Sequence, residues 1–290
     1  MSTPEHAAFV REPLHDGLRQ LGYHDGRNIT VVARYAGRDP RRFPVLLDEL
    51  LAANVDVLFL IGPAVPIAKQ KTRRVPIVCA TCADPVAEGL AVSYARPGGN
   101  VTGLSWQSLE SGGKRLELAT EIAPGFRRLA VMFDAGEVGG TLDAKRLEEA
   151  VRRLGTTVRL FATRDTDSVH SALATIVKDR TQVLIVSDTA LTNAHRKDIA
   201  TAATKARIVL ISEDRSFAEA GAVLTYGPNA ASMFRRAATY IHRILKGASA
   251  GELPIEQPTK FDLLVNLTTA DAIGIKIPQS ILLRADEVMR

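Results

Sequence analysis

The chain lacks most of the features that would place it in a specialised class. It has 290 residues, and no apolar run is long enough to span a bilayer. Aromatic residues make up only 5% of the sequence and do not interleave with the scattered basic residues, which argues against a nucleic-acid-binding surface. A composition of 46% hydrophobic and 24% charged residues instead predicts a globular protein with an ordinary core.

Catalytic signatures are also missing. There is no G-x-G-x-x-G or Walker A sequence for nucleotide phosphates, no G-x-S-x-G nucleophile elbow and no H-E-x-x-H metal motif. These absences predict that the protein is not an enzyme and uses neither a cofactor nor a resident metal. The first twelve residues are polar and show no signal-peptide pattern, which by itself favours a cytoplasmic location.

Only two cysteines are present, and they form the C-x-x-C sequence Cys79–Cys82. A metal site would need a second ligand pair, and the six histidines are dispersed along the chain. Cys79 falls inside a predicted strand, where positions three apart point to opposite faces. A structural role for both cysteines is therefore favoured, with a redox role as the lesser alternative.

What is present is a regular alternation of apolar strands and amphipathic helices. This order predicts an α/β fold with two doubly wound parallel-sheet lobes, a hinge and an interlobe cleft. The strand patterns cover 28–35, 55–61, 75–81, 101–106, 129–133, 157–162, 183–186, 208–211, 223–226 and 261–267. The helical patterns cover 5–22, 41–53, 67–74, 109–123, 142–154, 167–178, 193–205, 231–246, 269–274 and 281–289.

The stretch from Cys82 to Leu90 shows how such a unit builds a binding loop. It follows a buried strand, and Pro85 is placed to open a short helix. In parallel sheets, ligands bind outside the carboxyl ends of the strands. The residues at such ends are the predicted ligand-binding set: Gly62, Pro63, Ala64, Ala83, Asp84, Ser105, Trp106, Asp134, Asp188, Thr189, Glu213 and Tyr226.

Several of these residues have a second interpretation. Asp134 and Asp188 either face a ligand ammonium or cap the following helix. Trp106 and Tyr226 either stack on the ligand or pack at a crossing between lobes. Backbone N–H groups at helix starts would hold a ligand carboxylate, so we expect an amino acid or similar small organic ligand.

A set of short motifs gives the chain a family resemblance. Asp84-Pro85-Val86 precedes Gly89-Leu90, and the most specific motifs lie near the end, at Tyr226-Gly227-Pro228 and Arg284-Ala285-Asp286-Glu287-Val288. Further motifs are Gly17-Leu18, Gly22-Tyr23, Gly26-Arg27-Asn28, Arg96-Pro97-Gly98-Gly99-Asn100-Val101-Thr102-Gly103, Lys114-Arg115-Leu116-Glu117-Leu118, Arg243-Ile244-Leu245-Lys246-Gly247, Leu253-Pro254 and Gln257-Pro258-Thr259-Lys260-Phe261. The chain thereby resembles the ABC transporter substrate-binding proteins of the tryptophan/tyrosine type over about residues 5–290.

The resemblance implies a type I periplasmic-binding-protein fold with three segments connecting the lobes. It implies an N-terminal lobe of residues 1–106 plus 230–260 and a C-terminal lobe of residues 107–229 plus 261–290. Such proteins trap a small molecule in the cleft and deliver it to an ABC permease in the membrane. The resemblance thus implies a monomeric periplasmic receptor that binds no nucleic acid.

The chain also differs from the family pattern. Family members begin with a signal sequence and an apolar first strand, which we expect to be missing here through a misplaced start or a truncation. The loop at Asp134-Ala135-Gly136-Glu137-Val138 replaces an Asn-Pro-x-Asn-Pro pattern, so ligand specificity cannot be copied from relatives. The alternative function is a cytoplasmic ligand-sensing or regulatory domain of the same fold that is not exported.

Overall fold

The computed structural model describes residues 4–37, 39–106, 108–153 and 155–290. The helices are α1 Pro4–Gln20, α2 Phe43–Ala52, α3 Ala64–Lys71, α4 Ser108–Ile122, α5 Val138–Arg153, α6 Thr166–Lys178, α7 Ala190–Ala194, α8 Arg196–Lys205, α9 Arg215–Ala220, α10 Ala230–Leu245, α11 Leu267–Ile273 and α12 Gln279–Leu282. The strands are β1 Leu58–Leu60, β2 Ile77–Cys82, β3 Val101–Ser105, β4 Arg128–Asp134, β5 Thr157–Thr163, β6 Val183–Val186, β7 Val209–Ser212, β8 Leu224–Pro228, β9 Phe261–Asn266 and β10 Glu287–Met289.

The chain divides into two compact units. Unit one comprises Met1–Gln107 and Asn229–Lys260, and unit two comprises Ser108–Pro228 and Phe261–Arg290. Within the described residues, no helix combines the length and the apolar character that a bilayer span requires.

Unit one is built on a parallel sheet in the order β1-β2-β3. Val78 and Ala80 of β2 face a core that contains Leu18 of α1 and Phe234 of α10. Ile77, also in β2, points to the opposite face of the sheet and packs in a second core formed with α2 and α3. Because both sheet faces are covered, β1 is a continuous apolar run rather than an alternating one, as the sequence pattern predicted.

Unit two is built on a sheet of seven strands in the order β10-β9-β8-β7-β6-β4-β5. One face packs against α4, α5 and α11, and the other packs against α6, α8 and α9. All neighbouring strands are parallel except β8 and β9, which are antiparallel. The prediction of parallel pairing throughout is therefore wrong for β9. The chain leaves unit two after β8, passes through residues 229–260 of unit one, and re-enters as β9, which runs antiparallel to β8.

Two predicted elements of unit one are absent from the structure. Residues 28–35 form no strand, and their turns are held instead by side chains, with the N–H of Val31 donating to Asp25. The short helix predicted to open at Pro85 is a turn, because the N–H groups of Leu90 and Ala91 both donate to the Pro85 carbonyl. In the described part of the chain no strand lies beside residues 28–35, so their apolar pattern lacks a pairing partner.

The predicted terminal helix over 281–289 is also wrong. Helix α12 ends at Leu282, and residues 287–289 form β10, which pairs in parallel with β9. Asp286 holds the chain beside β9 just before β10 begins. Its backbone N–H donates to the Leu263 carbonyl, and its carboxylate accepts from the Leu263 N–H. A backbone pairing partner thus overrides local helical pattern at this end of the sheet.

The prediction that Cys79 and Cys82 point to opposite faces is wrong as well. The two cysteines form a disulfide, and both side chains are buried in the same core of unit one. The pairing between β2 and β3 shifts register between Cys79 and Cys82, so an irregularity in the strand restores a common face.

Candidate functional site

In unit one, the loop after β1 contains the predicted residues Gly62, Pro63 and Ala64. Gly62 has a left-handed backbone, and its carbonyl accepts a hydrogen bond from the N–H of Val65. Pro63 and Pro66 have no N–H to offer, so the start of α3 provides fewer donors than an ordinary helix start. The donors that this loop can present to an anion are the N–H groups of Gly62 and Ala64.

The loop after β2 contains Ala83 and Asp84. The Asp84 carboxylate accepts hydrogen bonds from the N–H groups of Val86 and Ala87 at 3.2 and 3.1 Å. Glu88 lies beside it, and burial followed by repulsion from Asp84 contributes to a raised pKa of the Glu88 carboxyl. The contacts of Asp84 are those of a turn-forming residue, and they use the oxygen Oδ1.

Ser105 and Trp106 end β3 and are joined to the preceding loop. The hydroxyl of fully buried Ser105 donates to the Ala83 carbonyl at 3.1 Å, and the Trp106 N–H donates to the Cys82 carbonyl at 2.6 Å. The Trp106 ring is partly buried against the core that contains Phe234. The ends of β2 and β3 therefore form one hydrogen-bonded edge, next to the disulfide.

In unit two, Asp134 and Thr189 make contacts within their own loops. The Asp134 carboxylate accepts from the N–H of Gly136 at 2.7 Å. Thr189 is the N-cap of α7, and its hydroxyl accepts from the N–H of Thr192 at 3.2 Å. Helix capping therefore accounts for the polar group of Thr189, and a local turn accounts for one oxygen of Asp134.

Asp188 and Glu213 are brought together from the ends of neighbouring strands. The N–H of Asp188 donates to Oε1 of Glu213 at 2.9 Å, and the Asp188 carboxylate accepts from Nδ2 of Asn193 at 2.9 Å. Burial first, then repulsion from Asp214, raises the pKa of Asp188 well above its usual range. A half-buried carboxylate beside other acids is the electrostatic setting in which a bound cation is stabilising.

A buried ion network supports this edge, and it was not among the predicted site residues. Arg115 of α4 is fully buried, and its guanidinium contacts Asp143 at 3.0 Å and Glu213 at 3.1 Å. Burial is the main cause that raises the pKa of Asp143 to about 6, against the favourable charge of Arg115. One sequence signal was available: Arg115 is a cation on the helix face that also carries Leu118, Ala119 and Ile122, which are all buried.

Tyr226 was predicted at a strand end, but it lies in the middle of β8, which continues to Pro228. Its ring stacks on Phe261, with ring centroids 5.5 Å apart. Its carbonyl accepts a weak hydrogen bond from Arg115 at 3.4 Å. Arg115 thus connects the backbone of β8 at Tyr226 to Glu213, the residue that follows β7.

Comparison with known proteins decides the family. The sequence profile of the ABC transporter substrate-binding proteins matches residues 5–289. The chain belongs to this family. The substrate-binding protein is 24% identical over 261 residues to the tyrosine-binding protein of Clostridioides difficile, covering 89% of this chain and 74% of that relative.

Solved structures share the fold of this substrate-binding protein. A conserved domain protein from Vibrio cholerae has a TM-score of 0.90 at 26% identity, covering 97% of this chain and 94% of the other. A domain from Streptococcus pneumonia in complex with L-Trp has a TM-score of 0.89 at 20% identity, again covering 97% and 94%. The fold is therefore the two-lobed α/β fold of type I periplasmic binding proteins, as the sequence predicted.

Proposed function

We propose that this substrate-binding protein binds an amino acid, or a small organic molecule with a similar ammonium group, for import by an ABC permease. The observation that carries the proposal is the acidic end of β6 and β7. Asp188 lies there beside Glu213 and Asp214, and its pKa is raised by burial and by these neighbours. A ligand ammonium at this position replaces like-charge repulsion with attraction.

The other predicted residues fit the same chemistry. The N–H groups of Gly62 and Ala64 suit a carboxylate, and Trp106 and Tyr226 offer aromatic rings for an apolar side chain. A tyrosine-binding relative and an L-Trp complex of the same fold support an aromatic amino acid as the first ligand to try. The assignment of Gly62, Pro63, Ala64, Ala83, Asp84, Ser105, Trp106, Asp134, Asp188, Thr189, Glu213 and Tyr226 as the ligand-binding set remains a proposal.

The test is a thermal-shift screen of ligand-stripped protein, followed by calorimetry on each hit. Free amino acids should raise the melting temperature, because ligands that bind the native state stabilise it. The matching hydroxy acids, which lack the ammonium, should give little shift. Equal shifts from an amino acid and its hydroxy acid would contradict the proposal.

Asp188→Asn sharpens this test. We expect the variant to lose about 2–5 kcal/mol of binding free energy if Asp188 pairs with a buried ligand charge. Because the raised pKa means that ionised Asp188 opposes folding, the same variant should unfold at the same or a higher urea concentration. Asp271→Asn, at an exposed position of α11, is the matched control and should leave binding unchanged.

We further propose that the protein functions outside the cytoplasm, as a monomer and without catalytic activity. The Cys79–Cys82 disulfide supports this location, since disulfides persist in oxidising compartments. Fractionation of the native host should place the protein in the periplasmic fraction, and denatured protein from that fraction should take up iodoacetamide only after reduction. Recovery in the cytoplasm with two reactive thiols would favour the cytoplasmic sensor instead.

A further inference from the structure

The histidines that are dispersed in the sequence are not all dispersed in the structure. His170 of α6, His195 between α7 and α8, and Asp198 of α8 meet on the surface of unit two. One potential ligand atom from each residue lies within 4.8 Å of the other two. The spacing of the histidines in the sequence predicts no resident metal, because spacing does not reveal a cluster whose members lie on separate elements.

The geometry points to a binding site for one divalent transition-metal ion, and we propose that Zn²⁺ or a similar ion binds His170, His195 and Asp198. Two imidazoles and a carboxylate match the ligand preference of Zn²⁺, with solvent completing the coordination. Nδ1 of His195 lies 3.5 Å from Oδ2 of Asp198, and Nε2 of His170 lies 4.0 Å from the same oxygen.

These separations are close to those that a bound ion requires. Metal–ligand distances of about 2.0–2.2 Å in a tetrahedron place donor atoms about 3.3–3.6 Å apart. The side chains of His170 and Asp198 are 56% and 63% exposed, so they can rotate inward without displacing core residues. Closing the site therefore needs side-chain rotation alone.

A neighbouring hydroxyl prepares His195 for this role. Nε2 of His195 is 3.1 Å from Oγ1 of Thr166, at the start of α6. If Nε2 donates its proton to that hydroxyl, the lone pair remains on Nδ1, which faces Asp198. Metal-bound histidines are commonly oriented by such a partner on the other ring nitrogen.

The backbone beneath the cluster is fixed by packing. Val169 precedes His170 and Ile199 follows Asp198, and both are fully buried in the same core of unit two. The nearby Arg196 directs its guanidinium to the carbonyl and amide oxygen of Asn193, at 2.8 and 3.0 Å. A bound cation would thus tie α6 to α8 at positions that the fold already holds together.

The experiment is calorimetric titration of untagged, chelator-treated protein with ZnCl₂. We expect one equivalent to bind in the wild type, and His170→Gln, His195→Gln and Asp198→Asn each to weaken binding by at least about tenfold. His24→Gln removes an exposed histidine of unit one and is the matched control, which should bind as the wild type does.

Thr166→Val and cobalt substitution make the test specific. Thr166→Val should weaken binding by about tenfold by releasing the ring of His195. Co²⁺ should give visible d–d bands in the wild type and His24→Gln but not in His170→Gln. Absence of Zn²⁺ binding by the wild type, or equal affinity in wild type, His170→Gln and His195→Gln, would overturn the proposal.

Discussion

In unit one, the carboxyl ends of β1 and β3 present backbone groups and neutral side chains, and the end of β2 presents the carboxylate of Asp84. The corresponding ends in unit two present several carboxylates, of which Glu213 is paired with a buried arginine. The only predicted acid of unit one, Asp84, has an oxygen that already accepts two backbone N–H bonds. In unit two, the Asp188 carboxylate accepts from the side chain of Asn193, and Glu213 is held by Arg115.

The comparison shows two ways to prepare a strand end for a polar ligand. Backbone N–H groups cost little to hold at a loop and suit an anionic group. Carboxylates suit a cationic group, but their burial must be balanced by an internal cation and by hydrogen bonds. Unit two therefore needs Arg115, while unit one relies on turns and on the disulfide between Cys79 and Cys82.

Of the substitutions that test this difference between the units, Arg115→Met is expected to cause the largest loss of stability. Removing the buried cation takes away the ion-pair partner of both Asp143 and Glu213, which should cost about 3–5 kcal/mol in the free energy of unfolding measured with urea. Lys114→Met, at the exposed neighbour that pairs with Glu117, should cost less than about 1 kcal/mol.

A triple variant separates lost charge balance from lost packing. Arg115→Met combined with Asp143→Asn and Glu213→Gln should recover part of the loss, because no buried charge then lacks a partner. If Arg115→Met were no more destabilising than Lys114→Met, the ion pairs of Arg115 with Asp143 and Glu213 would not stabilise unit two as proposed.

The second prediction concerns pH. The pKa of Asp143 is raised to about 6 in the folded protein, from 3.8 in the unfolded chain, mainly by burial. Between these values the folded state holds more protons than the unfolded state, so this group's contribution to stability is full below about pH 4. It falls by about 3 kcal/mol as the pH rises through 6.

Asp143→Asn isolates that contribution. The variant should lose the part of the pH dependence between about 4 and 6 that Asp143 causes, as measured by urea unfolding at each pH. Parallel stability profiles in the wild type and Asp143→Asn would contradict the assignment. Because the wild type contains other titrating groups, only the difference between the two profiles is diagnostic.

The third prediction removes the covalent link of unit one. Cys79→Ala/Cys82→Ala opens a loop of only four residues, so the chain-entropy contribution should be about 2 kcal/mol. Adding a strong reductant to the wild type under denaturing titration should produce a similar loss, and should leave the double variant unchanged. Equal stability of oxidised and reduced wild type would mean that the disulfide does not stabilise the end of β2.

The smallest effect is expected where the two units are alike. Each has an exposed arginine–carboxylate pair with two hydrogen bonds: Arg236–Glu256 in unit one and Arg215–Glu287 in unit two. Glu256→Gln and Glu287→Gln should each cost less than about 1 kcal/mol, and less in high salt. A much larger loss in one unit would show that its surface charges, and not only its buried ones, differ in importance.

Much of the fold could be predicted because both sheets are covered on both faces. A strand such as β6, which is fully buried, then appears in the sequence as a short run of apolar residues, a pattern typical of strands covered on both faces. The predictions failed where an element depended on a distant partner. Residues 28–35 have strand-like composition, but no strand of the described residues lies beside them. Residues 287–289 become a strand because β9 offers them a free edge.

Some features of the candidate site could also be predicted from the sequence, and others could not. Sequence position identified the strand ends that hold Ser105, Asp188 and Glu213, because the carboxyl ends of parallel strands follow from strand order alone. It could not show that Thr189 would be used as a helix cap, since capping depends on the local backbone that forms around it.

The alternation of strands and helices, the strand-end loops and the family can all be predicted from local patterns in the chain. Which polar groups share an environment depends on how the elements pack. Arg115 meets Asp143 and Glu213, and His170 meets His195 and Asp198, across packed elements whose separation in the sequence is unrelated to their distance in space. Electrostatic energy and metal coordination depend on that distance, so the charged edge and the histidine cluster became visible only in the folded chain.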